Sequence, residues 1–349
     1  MRVLPFNRTE TQTAATYTLF GKLPNRADFV RVDANHPVAL EFDELIQSAL
    51  EQMAGEAGVL DGAETSGTVD FFYVSKDQRQ IMLGVLMPSQ DQAGRRYPLV
   101  AAVILPYDSI EGYLPVAPIA YEVFFDGLRD QVANAVENSV EALSCRLFLE
   151  SNLHTYETAE DDLELAQSVV DRFMSMQPVS RVGKLLREAP FQASLQQTLL
   201  NIAFYQAHLR RFDNRATNQL FLLPLSGNKG EQCLIASAWL TILSALWWET
   251  ESGHSWRGSY LFLRRSDEGA QLVASIGKTP ASFSKVMLGG DVTAPMVLEL
   301  GAENEAWMSH RMYAEASYAL GRILADPECR LAELCTFLGD VSRELERSI

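Results

Sequence analysis

Gly84-Val85-Leu86-Met87-Pro88-Ser89-Gln90-Asp91-Gln92-Ala93-Gly94-Arg95-Arg96-Tyr97-Pro98-Leu99 joins two apolar runs through one polar turn. The first run begins at Ile81 and ends at Met87. The second extends from Tyr97 to Leu105. Both read as strands, with Pro88–Arg96 between them, and so short a link favours antiparallel neighbours. Leu99-Val100-Ala101-Ala102-Val103-Ile104-Leu105 is apolar at every position. A strand of that kind belongs at the centre of a sheet covered by helices on both faces. Val69 to Val74 supplies a third strand, and Asp77 and Gln78 mark the turn that follows it.

Working towards the N-terminus, Tyr17 to Leu23 reads as another strand. Pro24 fixes its own φ and pushes Leu23 towards an extended conformation, so the strand should end there. A loop over 24–36 follows. It carries the rest of a second compact motif, Gly21-Lys22-Leu23-Pro24-Asn25-Arg26-Ala27-Asp28-Phe29-Val30. Pro37 suits the first turn of a helix, with His36 or Asn35 as its cap. Val38, Phe42, Leu45, Ile46, Ala49, Leu50 and Met53 recur at helical spacing, and Gly55 should stop the helix.

Beyond Leu105, a stripe from Tyr121 through Phe124, Phe125, Leu128, Val132, Ala135, Val136 and Val140 to Leu143 predicts one long helix. Further helices are expected over 159–175, 181–188 and 191–212, broken at Pro178 and Pro190. The polar stretch His154 to Asp162 marks a lobe boundary. Leu220 to Leu225 then reads as a strand, Ser226–Gly230 as a turn and Gln232 to Trp248 as a helix. Tyr260 to Arg264 and Gln271 to Ile276 resemble a hairpin through Asp267-Glu268-Gly269. Met296 to Leu300 should add an edge strand. Two helices close the chain, with Asp326 and Pro327 as cap and first-turn signal between them. The fold class expected is α+β: a mostly antiparallel sheet flanked by helices, with a helical middle segment and a second sheet-and-helix lobe. The expected organisation is a flexible terminus over 1–16, an N-terminal domain over 17–150 and a C-terminal α+β region over 151–349.

Composition narrows the partners. Among 349 residues, 29 Lys and Arg face 45 Asp and Glu, a formal charge of -16. That field repels nucleic-acid phosphates and anionic lipid heads. Arg210-Arg211 and Arg264-Arg265 are isolated pairs rather than a basic patch. A hydrophobic content of 47% supports a well-buried core. Cys145, Cys233, Cys329 and Cys335 sit in apolar, helix-like stretches with no zinc spacing, and they read as free thiols of a reducing compartment. The N-terminus lacks the apolar run of a signal peptide, and Cys233 to Trp248 is too short to span a bilayer comfortably. The expectation is a cytoplasmic protein with no direct membrane insertion and no nucleic-acid partner.

The residues offer little chemistry. Ser89 and Asp91 share a loop without a Gly-x-Ser-x-Gly elbow or a nearby His, so turn bracing explains them better than nucleophilic catalysis. His36, His154, His208, His254 and His310 share no ligand spacing. Asp161-Asp162 at a helix start favours the helix dipole. Ser226–Gly230 is the fullest anion candidate, between a strand and a helix, but Glu231 follows where a phosphate loop needs Lys. Trp239, Trp247, Trp248 and Trp256 read as core packing rather than a pocket. No catalytic residue, metal ligand or cofactor site is assigned.

Two loops remain. In the first, Arg26 and Asp28 lie close enough for an ion pair, and Phe29 and Val30 can anchor the loop in the core. In the second, Gly94 permits a positive φ, and Asp91 can pair with Arg95 or Arg96. Lys22, Arg26, Asp28, Phe29, Asp91, Arg95 and Arg96 thus either brace the loops against each other or form a partner-facing rim. The two roles are compatible.

These motifs resemble the TagF family, also called ImpM, of type VI secretion-associated proteins. The family pattern Gly-Lys-Leu-Pro-x-x-Gly-Asp-Phe-Val is met at Gly21, Lys22, Leu23, Pro24, Asp28, Phe29 and Val30, with Ala27 replacing the usual Gly. Phe42-Asp43 and Leu45-Ile46 stand where aromatic-Asp and aromatic-Leu are usual. The second motif matches at Gly84 through Ser89 and at Asp91, Gly94, Arg95, Pro98 and Leu99. A fainter likeness continues at Leu246-Trp247-Trp248, Gly277-Lys278-Thr279-Pro280 and Phe283. The resemblance covers about residues 17–150. It implies a cytoplasmic, non-enzymatic repressor of the type VI secretion machine that acts after translation, by binding a forkhead-associated-domain component and withholding it from assembly. The alternatives are a small-ligand or nucleotide-binding sensor or enzyme at the Ser226–Gly230 turn, and a structural accessory subunit of the apparatus.

Overall fold

A computed structural model describes residues 15–54, 67–138, 142–157, 160–188, 194–211, 219–247, 258–265, 269–275, 278–289 and 297–348. The expected stop at Gly55, the break at Pro190, Trp248, Trp256, His254, Ile276, Gly277 and Met296 lie outside these residues, as do residues 1–14 of the expected flexible terminus.

The apolar run at Leu99 forms β5 (Leu99–Pro106), and its alternation explains the whole architecture. Leu99, Ala101, Val103 and Leu105 point into one core, and Val100, Ala102 and Ile104 into another. Successive strand residues face opposite sides, so an uninterrupted apolar strand needs a cover on each. Both covers are present. On one face lie α1 (Pro37–Ala54) and α9 (Ser282–Met287), which contribute Phe42, Ile46, Met53, Phe283 and Met287. The other face receives most of the remaining helices.

β5 pairs antiparallel with β4 (Gln80–Met87) and β1 (Thr16–Gly21). β4 pairs with β3 (Val69–Val74), and β3 continues into β7 (Tyr260–Arg265), then β8 (Gly269–Ser275) and β6 (Leu220–Pro224). β2 (Val30–Val32) and β9 (Val297–Glu299) are the two edges, giving one open sheet in the order β2-β1-β5-β4-β3-β7-β8-β6-β9. Only β6 and β9 pair in parallel among the described residues. The α+β class and the mostly antiparallel sheet stand as expected. At the β3–β7 seam, Phe72 stacks on Tyr260 at 4.3 Å, and the Tyr260 hydroxyl donates to the Leu114 carbonyl at 3.0 Å. Strands from both parts of the chain thereby share one hydrogen-bonded ladder.

The second face is built by α2 (Ala117–Ala120), α3 (Glu122–Glu137), α4 (Leu143–Glu157), α5 (Glu160–Met176), α6 (Val179–Glu188), α7 (Leu195–Arg211), α8 (Lys229–Trp247), α10 (Glu305–Met308), α11 (Tyr313–Ala325) and α12 (Leu331–Ser348). α12 packs on α5, α7 and α8, which ties the tail to the helical middle. In α8, Trp239 is buried and its indole N–H donates to the Pro224 carbonyl at 2.8 Å. That residue is core, as read from the sequence.

Four local expectations are corrected. Leu23 lies beyond β1, because Gly21 ends the strand in a φ of 134° that the pleat does not continue. The predicted 24–36 loop contains β2, a strand too short to show a period. The stripe from Tyr121 to Leu143 is divided between α3 and α4. Asp326 and Pro327 close α11 rather than open α12: Asp326 donates its N–H to the Ile323 carbonyl and accepts the Glu328 N–H, and α12 starts later, at Leu331. Cys329 falls in that connection and not in a helix. All four cysteines are free thiols, and burial pushes Cys145 up to about 11 and Cys335 up to about 12.

Candidate functional site

Asp91 is the centre on which both loops converge. Within its own loop, Oδ1 accepts the N–H groups of Ala93 (3.0 Å) and Arg95 (2.9 Å), and Oδ2 accepts Arg95 Nε at 2.7 Å. Gly94 takes a φ of 77° and donates its N–H to the Asp91 carbonyl, so the turn closes on itself. The other loop then reaches in: Lys22 Nζ lies 3.0 Å from Oδ2 and 3.2 Å from the Arg95 carbonyl. Burial works to raise the Asp91 carboxyl. The Arg95 N–H, the Lys22 ammonium, the Arg95 guanidinium and the Ala93 N–H outweigh it and hold the group at about 2.

Further bonds sew the loops together. Ser89 Oγ donates to the Lys22 carbonyl at 2.8 Å, Gln92 N–H to the Arg26 carbonyl at 2.9 Å, and Arg95 Nη2 to the Ala27 carbonyl at 3.0 Å. The backbones approach closely at Gly21, where a Cβ would stand 2.1 Å from the Pro98 carbonyl oxygen. Ser89 and Asp91 thus both serve as braces. The predicted Asp91 pairing goes to Arg95. Ala27, which stands where the family pattern has Gly, is not among the residues with positive φ.

Phe29 departs from expectation. It does not enter the core: 37% of it is exposed. Its ring meets Tyr97 edge-on at 4.7 Å, with Lys22 Nζ at 5.4 Å and the Arg31 guanidinium at 5.6 Å from the centroid. Val30, half-buried, supplies the loop's core contact instead. Tyr97 and Arg31 both lead to Asp43 of α1, which the sequence marked only through the family resemblance and without a role. It accepts the Tyr97 hydroxyl, Gln47 Nε2 at 3.2 Å and Arg31 Nη2 at 3.4 Å. Burial raises the Tyr97 phenol, and the Asp43 carboxylate raises it further. A carboxylate on the buried face of an apolar helix was the available signal for Asp43.

The outer surface of the two loops exposes Arg26, Asp28, Phe29, Arg31, Arg95 and Arg96. The Ser89 hydroxyl and the Asp91 carboxylate are both bonded to the scaffold. The surface holds an aromatic ring and the Arg31 and Arg95 guanidinium groups in fixed positions, which suits recognition of another surface.

The Ser226–Gly230 turn is closed from within. Asn228 N–H donates to Ser226 Oγ (3.1 Å), Gly230 N–H to Asn228 Oδ1 (3.2 Å), and Glu231 lies 3.1 Å from Arg181. Lys229 and Gly230 line a cavity of about 520 Å³ with Phe72, Phe125, Phe262, Asp70, Asp126 and Arg129. Arg129 bridges Asp70 of β3 and Asp126 of its own helix. Among the described residues, no group of three or more His, Cys, Asp or Glu could hold a metal ion, and no helix is long and apolar enough to cross a membrane.

Residues 18–151 match the family described as TagF N-terminal domain, Type VI secretion system-associated. No curated protein matches the chain. Among solved structures, PA0076 from Pseudomonas aeruginosa PAO1 is 19% identical, with 80% of this chain and 97% of that chain covered and a TM-score of 0.37. Both loops, Asp43 and the Asp91 network fall inside the matched segment. Over residues 18–151, this chain is thus similar to the TagF N-terminal domain of type VI secretion system-associated proteins.

Proposed function

We propose that this protein restrains the type VI secretion machine from the cytoplasm by holding a forkhead-associated-domain component in a complex, without turning over a substrate. One observation carries the reading. The family's two motifs meet at Asp91, and what they present outward is an exposed Phe29 gripped by Lys22, Arg31 and Tyr97. A pre-organised aromatic and cationic rim loses little side-chain entropy on binding, so it makes a good interface anchor. Repression then follows by mass action, because a component held in a complex is withdrawn from assembly. The test is co-purification of the full chain with the forkhead-associated-domain protein, beside effector release in cells that overproduce the chain. A micromolar complex and reduced release are expected. Absence of binding at micromolar concentrations would sink the reading.

The 520 Å³ cavity favours a second reading, a small-ligand sensor. Asp70, Glu122, Asp126 and Asp130 outnumber Arg129 and Lys229 on its wall, so the ligand would be cationic or neutral rather than a nucleotide. A thermal-shift screen of amines and neutral metabolites tests it, because a ligand that binds only the folded state raises Tm. A flat screen retires it.

A further inference from the structure

The charge of the loop rim is opposite to that of the molecule. The chain carries -16 overall. Yet the two loops and the strand after them carry Lys22, Arg26, Arg31, Arg95 and Arg96 against Asp28, Asp33, Asp91 and the Asp43 that pairs with Arg31, a small positive excess, and their exposed charges are four arginines against Asp28 and Asp33. The cations are also positioned. Arg95 is fastened to Asp91 and to the Ala27 carbonyl, and Arg31 to Asp43, so each guanidinium is fixed at one end while its side chain remains about half exposed or more. Phe29 sits among them, 37% exposed, with Tyr97 edge-on to it and the Lys22 and Arg31 cations 5.4 and 5.6 Å from its ring centroid.

We infer that this rim receives an acidic protein surface with an apolar notch for Phe29. This inference rests on the binding role proposed above and specifies the chemistry of the partner face. A cationic rim on an anionic body has two physical consequences. Association is steered, because an acidic face is drawn to the rim and repelled by the rest of the chain, so the on-rate falls as salt screens the field. Residence depends on the ring, because a fully desolvated aromatic anchor acts mainly on the off-rate. An anionic membrane is the less favoured occupant, since the body behind the rim would be repelled at the same distance over which the rim attracts.

The experiment measures association and dissociation rates of the full chain with the forkhead-associated-domain component at low, physiological and high salt. It compares the wild type with Phe29→Ala and with the Arg26→Glu, Arg96→Glu double variant, and checks the Tm of each. Vesicles of phosphatidylglycerol provide a parallel arm. The expected result is an on-rate that falls about tenfold or more from low to high salt. The double variant should lose that dependence, and Phe29→Ala should raise the off-rate about tenfold or more with Tm unchanged. A complex whose rates ignore salt and both variants would overturn the inference while leaving the binding role intact, because the partner would then dock elsewhere. No complex at any salt would overturn both. Capture by the vesicles in place of the protein partner would assign the rim to lipid and overturn the inference.

Discussion

The Lys22 ammonium stands 3.0 Å from the Asp91 carboxylate, and Asp91 exposes none of its side chain. This one contact joins the two loops. Because the same carboxylate also gathers two backbone N–H groups and the Arg95 guanidinium, it organises its own turn and the neighbouring loop together. Removing it leaves several donors without their acceptor, which is costlier than the loss of one surface ion pair.

Asp91 therefore gives a defined acid response. Its folded carboxyl lies at about 2, below the ordinary 3.8. The unfolded chain takes up the proton first as pH drops, so the stabilisation is complete above the ordinary value and disappears as pH falls through the folded one. Asp91→Asn should lower Tm at neutral pH by several degrees. It should also flatten the Tm profile between pH 4 and pH 2, where the wild type declines; differential scanning calorimetry across that range checks both.

His36 gives a second response, nearer neutrality. Its Nδ1 accepts the Val38 N–H at 3.3 Å and so caps α1, a role open only to the unprotonated nitrogen. Burial lowers the His36 imidazole below its ordinary 6.5. The stabilisation is present above that value and is lost as pH falls beneath it, because the unfolded chain protonates first. Tm should drop between pH 7.5 and pH 5.5 in the wild type. The same interval should be flatter in His36→Asn, which retains a capping oxygen.

Gly21 and Gly94 both have positive φ, but their surroundings differ. A Cβ at Gly21 would press on the Pro98 carbonyl at 2.1 Å, whereas one at Gly94 would meet nothing within 4 Å. Gly94→Ala should cost only the left-handed backbone, about 1–2 kcal/mol. Gly21→Ala should cost more than that, since neither backbone can yield without separating β1 from β5. Urea denaturation of the two variants gives the order.

The cavity wall offers a buried pair to break. Arg129 of α3 reaches Asp70 in β3, whose side chain is nearly inaccessible. Arg129→Met removes the cation and leaves the carboxylate in the core, for an expected loss of about 3–5 kcal/mol. Adding Asp70→Asn should recover part of that loss. The double-variant cycle, read from denaturant midpoints, measures the coupling.

Apart from β2, the strands and their order along the chain were legible in the residues alone. Leu99–Leu105 announced a strand covered on both faces, Pro37 with His36 announced a helix start, and the Pro88–Arg96 turn announced an antiparallel pair. Each of these is a local pattern of hydrophobic period, proline geometry or turn chemistry, and a chain carries such patterns wherever it goes. β2 escaped because Val30-Arg31-Val32 is too short to show alternation, and its pairing with β1 needs the chain to turn back first. The partner of Asp91 was half visible. Arg95 lies within its own turn, but Lys22 enters only when β1 settles beside β5. Phe29 read as a core anchor because aromatic residues are usually buried. Only the assembled sheet shows that Val30 takes that place and Phe29 is held outside by Tyr97, Lys22 and Arg31. Composition and spacing dictated which segments become strands and helices. Contacts between distant segments, which depend on how the whole sheet assembles, determined which side chains became braces and which face outward.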